Sequence, residues 1–152
     1  MRVKDYLQQG YRLEHRIRFV QAEIEELREL STSVSSPGFE EHHNASRNTD
    51  APYEKLILKI VSLEEKQAAM LEKLLSFKAE LTEVIDSLED KDERLVIHYR
   101  DIGNKTWVEI GDKLGWDART VRRWHNKALA HLVLPETPTI IDKNLQENEN
   151  GT

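Results

Sequence analysis

Arg119, Arg122, Arg123 and Asn126 recur at helical spacing on one side of a short segment, opposite Val121, Trp124 and Leu129. A guanidinium is a planar fork that pairs bidentately with guanine, and an asparagine amide pairs in the same way with adenine. Arginine also grips phosphate. After Asp117 this side carries no acid, so it is not an ordinary mixed-charge solvated face. Thr120 and Lys127 complete the candidate set on the segment, and Lys105 and Thr106 lie ahead of the preceding helix, Lys105 where a sugar-phosphate backbone would pass. The chemistry these types suggest is recognition of double-stranded DNA in its major groove, with Arg123 one turn into the helix as the base reader. The competing expectation is a protein-binding adaptor that uses the same module without reading DNA.

Charge is distributed to match. Residues 1–90 carry 12 basic and 18 acidic side chains, residues 91–133 carry 9 and 6, and residues 134–152 carry 1 and 4, within a chain of net −6. A basic island of net +3 in an acidic chain indicates a local anionic contact and excludes a uniformly basic coat. Zero cysteines exclude disulfides and thiolate chemistry. His42 and His43 beside Glu40 and Glu41 read as a polar loop rather than a metal site. Trp107, Trp116 and Trp124 read as core rather than as stacking platforms. Phosphate loops, supported carboxylate pairs and nucleophilic triads are missing, so no enzyme, cofactor or metal is expected.

The elements that must position these residues form a helix-turn-helix. Asp90, with Glu93 three residues on, starts a helix whose apolar face is Leu95, Val96 and Tyr99. Thr106 and Glu109 make a capping box for a short helix ending at Leu114, Gly115 suits a left-handed turn, and Asp117 caps the next helix, 118–132. Gly111 supplies the small residue that close crossing of the two helices needs; it costs about 1 kcal/mol of helix propensity relative to Ala. Ile110, Leu114, Trp116, Val121 and Trp124 are the shared core.

Upstream, Tyr6, Leu13, Ile17, Val20, Ile24 and Leu27 make a seam along a helix spanning residues 2–33, with Gly10 as its weak link. Residues 31–52 break the period and read as a linker. A second helix starts near Asp50; its seam runs Leu56, Ile60, Leu63, Gln67, Met70, Leu74, Phe77, Leu81, Val84 and Leu88. The polar Gln67 either fixes register or reaches solvent. A further stripe of Ile57, Val61, Ala68, Leu71 and Leu75 exceeds what one partner helix covers, so two hairpins are expected to pair into a four-helix bundle. The 152 residues are 38% hydrophobic and 33% charged, suited to elongated helices. The expectation is an all-α, cytoplasmic homodimer without a membrane partner. Its parts are a helical hairpin for oligomerisation at 1–89, a DNA-binding domain at 90–134 and a disordered tail from Pro135.

TWVEIGDKLG at 106–115 followed by TVRRWHNKAL at 120–129 resembles the promoter-reading C-terminal region, region four, of bacterial sigma factors. With KDYLQQGYRL at 4–13, KIVSLE at 59–64 and LLSFKAEL at 74–81, the chain over residues 3–133 resembles small phage and prophage proteins of Gram-positive bacteria related to phage late-gene transcription regulators. The resemblance implies a transcription regulator with double-stranded DNA as ligand, RNA polymerase as a further partner, and base or backbone contacts at Arg119, Arg122 and Arg123. Ala118 stands where sigma factors offer a polar or basic contact residue, so their promoter sequence does not carry over.

Overall fold

The heptad-like seams require two long helices, and both form. A computed structural model describes residues 1–34 and 46–141, and five α-helices account for most of them: α1 (Val3–Val34), α2 (Ser46–Asp86), α3 (Lys91–Ile97), α4 (Trp107–Leu114) and α5 (Ala118–His131). A π-helical turn, His98–Ile102, continues α3. Strands are absent among the described residues, so the fold is all-α. α1 and α2 each extend into the span expected to be linker, so the break in apolar period precedes the break in helix. The His42–His43 pair and residues 35–45 of the expected linker lie outside the described residues.

The chain divides into two units, His15–Glu72 and Met1–Glu14 together with the chain from Lys73 onward. Within His15–Glu72, Val20, Ile24 and Ile60 are buried, with Leu27, Leu63 and Met70 packed against them. Gln67 donates from Nε2 to the Gln21 Oε1 at 2.6 Å, and Arg28 pairs with Glu64, so the two helix segments run antiparallel. The second stripe stays outside: Ile57 (37%), Val61 (45%) and Leu71 (42%) are exposed, as are Leu58 and Phe19.

In the other unit, Tyr6 and Leu7 of α1 meet Phe77, Leu81, Val84, Ile85 and Leu88 around α2, and the same core takes in Ile97, Ala128 and Leu132. Packing is therefore continuous across residue 89, where the sequence suggested a domain boundary. Gly10 is not a weak link: a Cβ there would stand 2.9 Å from the Phe77 ring, so its absence lets the ring lie against α1. Tyr6 and Phe77 also pack ring to ring, with centroids 5.1 Å apart.

The first residues after Leu134 are ordered against the same core. Residues 135–141 form a strap that docks without periodicity, through hydrogen bonds. Gln9, fully buried, donates from Nε2 to the Thr139 carbonyl at 3.1 Å and accepts at Oε1 from the Ile141 N–H at 2.7 Å. Glu80 accepts from the Tyr6 hydroxyl at 2.7 Å, from the Thr139 N–H at 3.1 Å and from the Thr139 hydroxyl. Leu134 and Ile141 pack on the core. Partial burial opposes ionisation of Glu80, yet the bonds from Thr139 and Tyr6 outweigh it and hold the carboxyl below its ordinary value of 4.5. Burial, then the bond to Glu80, pushes the Tyr6 hydroxyl upward.

Removing the chain from Thr139 onward leaves the Gln9 amide buried without its strap partners, which should cost about 1–3 kcal/mol. Because Glu80 titrates lower in the folded state, its contribution is complete above the ordinary carboxylate value and is lost as pH falls through the lowered one. Thermal melts of the full and truncated chains should thus differ most near neutrality, and the gap should narrow in acid to the part that the neutral Gln9 amide supplies. Equal melting temperatures at neutral pH would show that the strap does not stabilise the unit.

Candidate nucleic-acid interface

Each turn of the helix-turn-helix is closed by the residue its sequence position calls for. The Asp90 carboxylate accepts from the Asp92 and Glu93 N–H groups, starting α3. Its apolar face differs from the expected one: Val96 and Ile97 are buried and Leu95 is exposed, while Tyr99 packs at the edge of the Val96 core. Asn104, at φ 51°, carries the left-handed conformation between the π-helical turn and α4, and its amide donates to Glu14. The Thr106 hydroxyl accepts from the Glu109 N–H at 3.1 Å, and Glu109 accepts from the Thr106 N–H at 2.8 Å, completing the capping box. The bond from the Thr106 N–H, helped by Lys105 and Lys113, holds the Glu109 carboxyl below its ordinary range. Asp117 accepts from the Thr120 N–H at 2.6 Å, and that bond, with Arg123 and Arg119 nearby, lowers Asp117 in the same way.

Between the caps, Gly115 adopts φ 72°, and Val96, Ile110 and Val121 form a sealed core ringed by Tyr99, Trp107, Leu114, Trp116 and Trp124. The Trp116 and Trp124 rings stack at 5.7 Å. Gly111 serves a tighter approach than helix crossing alone: a Cβ there would stand well under 3.0 Å from the Trp116 carbonyl oxygen in the turn.

The candidate contact residues separate into groups. Arg119, Arg123 and Lys127 are exposed, with the Lys127 ammonium 5.0 Å from the Trp124 ring centre. Thr120 is half-buried at the cap, and Thr106, though exposed, commits its hydroxyl to the capping box. Lys105 is half-buried, and its carbonyl accepts from the Arg100 guanidinium at 2.9 Å. Arg122 and Asn126 are exposed as well, but they edge an open-sided groove of about 580 Å³ between α5 and the start of α1.

That groove brings in residues that local sequence patterns do not mark. Lys4, Gln8 and Arg12 come from α1, and Arg100 and Asp101 from the π-helical turn. The Arg100 guanidinium lies 4.1 Å above the Trp107 ring. His125, buried midway along α5, bonds through Nε2 to Asp101 at 2.8 Å and meets the Trp107 ring edge-on. Trp107 is therefore half core and half groove wall. A second histidine, His131, bonds the buried Glu93 at 2.9 Å and ties the end of α5 to α3. Among the described residues no cluster of His, Asp and Glu is arranged to hold a metal, and no helix is long and apolar enough to cross a membrane.

Gly111→Ala tests the turn. On helix propensity alone the change should add about 1 kcal/mol. The contact with the Trp116 carbonyl reverses the sign, so chemical denaturation should report a less stable protein. A gain in stability would show that the turn backbone yields freely.

Residues 84–132 match the family model for sigma-70, region 4. Curated proteins and solved structures, compared with the chain, give no match. The match takes in the end of α2 and everything from α3 to α5, so this part of the chain is a helix-turn-helix similar to sigma-70 region 4, a DNA-binding type of module.

Proposed function

We propose that the protein is a phage-type transcription regulator that inserts α5 into the major groove of double-stranded DNA. The observation that carries this reading is the face of α5: a cap-closed helix presenting Arg119, Arg122, Arg123, Asn126 and Lys127 to solvent without an acid after Asp117. Arg123 reads a base edge, Arg119, Arg122 and Asn126 share base and backbone contacts, and Lys105, Lys127, Thr106 and Thr120 lie against phosphates. RNA polymerase is the further partner that the sigma-like module suggests.

One basic module of net +3 binds DNA weakly, and two on one duplex bind far better through effective concentration. The exposed Ile57, Leu58, Val61 and Leu71 stripe supports pairing of two copies. Light scattering at micromolar concentration should give about twice 17.7 kDa. Leu58→Glu with Val61→Glu should halve that mass. A wild-type monomer would remove the dimer from the proposal.

Binding-site selection on Arg123→Ala tests the reading helix. The change should cost about 1–3 kcal/mol on the selected site and relax preference at one base pair. Lys105→Ala should weaken all sequences alike and shrink the salt slope by about one. If Arg123→Ala retains both affinity and preference, α5 does not read DNA, and an adaptor that meets RNA polymerase through this module replaces the regulator.

A further inference from the structure

We propose that the groove between α1 and α5 is a phosphate clamp, taking the DNA backbone strand that flanks the base-reading face of α5; this rests on the reading of α5 as a DNA-binding helix. The clamp goes beyond the sigma-like module, because two of its cations come from α1, outside residues 84–132.

Four cations from three elements line the groove: Lys4 and Arg12 of α1, Arg100 of the π-helical turn and Arg122 of α5. The one carboxylate among the lining residues, Asp101, bonds the His125 ring at 2.8 Å. Arg100 is held in place from two directions, by its bond to the Lys105 carbonyl and by the Trp107 ring beneath it. A preset guanidinium loses little conformational freedom when it meets an anion. Residues 1–90 are net acidic as a whole, yet Lys4 and Arg12 from that stretch stand here beside Arg100 and Arg122 of the basic one.

Geometry identifies the anion. An α-helix with its side chains is about 10–12 Å across, and the major groove is about 12 Å wide, so a seated helix touches a sugar-phosphate wall on each flank. Arg122 and Asn126 belong both to the exposed face of α5 and to the edge of the groove. The wall on that flank therefore meets Lys4 and Arg12 as well. Phosphate contacts of this kind set register and affinity and carry no sequence information.

The test measures affinity of the full chain for a mixed-sequence duplex pool across a salt series. It compares wild type with Lys4→Ala/Arg12→Ala, the charge-keeping Lys4→Arg/Arg12→Lys, and Arg123→Ala. The alanine pair should weaken every sequence alike and reduce the salt slope by about two, the charge-keeping pair should leave the slope at its wild-type value, and neither should alter base preference. An unchanged slope in the alanine pair, with Arg123→Ala still weakening binding, overturns the clamp and leaves the reading of α5 standing. Failure of the wild-type chain to bind any duplex overturns both.

Discussion

The turn between α4 and α5 is set by how near the Trp116 carbonyl comes to the backbone of Gly111. Hydrogen at that position, in place of a methyl group, lets the chain reverse within Gly115 and Trp116 and still start α5 on the Asp117 cap. The angle between the two helices follows from this approach, and the angle brings Val121 onto Ile110 and sends Arg119 and Arg123 outward. Helix propensity is sacrificed locally so that the recognition helix has one orientation. The stacked Trp116 and Trp124 rings and the two caps then hold what the approach defines.

A second organising feature is polar and sits in an apolar core. Gln9 is fully buried, and every bond it makes beyond its own helix goes to the strap at Thr139 and Ile141 or to the neighbouring Met1 sulfur. Glu80 answers from α2 with bonds to Tyr6 and Thr139. Buried amides tolerate few alternative arrangements, because an unmet donor or acceptor costs far more than a displaced methyl contact. The strap is thus specified by a few directional bonds, whereas the helices beneath it are specified by area.

This difference explains what could be read from the amino-acid order. The seams of α1 and α2 were legible because apolar spacing is periodic, and so were the Asp90, Thr106 and Asp117 caps, because capping chemistry is local. The strap was not: Pro135, Pro138 and the polar residues around them have no period, and their partners Gln9 and Glu80 are far away in sequence. Ile97 rather than Leu95 is buried because it joins the core that Ala128 and Leu132 complete, partners distant in the chain that local spacing does not reveal. Of the candidate interface, the α5 side was visible as a cationic face. The α1 side was not, since Lys4 and Arg12 look like ordinary surface charges until folding sets them beside Arg122.

The strap also has a bearing on synthesis. The unit that contains α3 to α5 is assembled from residues at widely separated positions, with Tyr6 and Gln9 waiting for Phe77, then Ala128 and Leu132, and finally Thr139 and Ile141. His15–Glu72, in contrast, draws on one uninterrupted stretch. On the ribosome, where folding follows the order of emergence, that stretch can settle while the start of α1 still lacks its partners. The unit carrying the recognition helix closes only after Ile141 has left the exit tunnel. The groove lining, from Lys4 to Leu129, has by then emerged in full, so the strap bonds are the last to form and lock a surface already laid down.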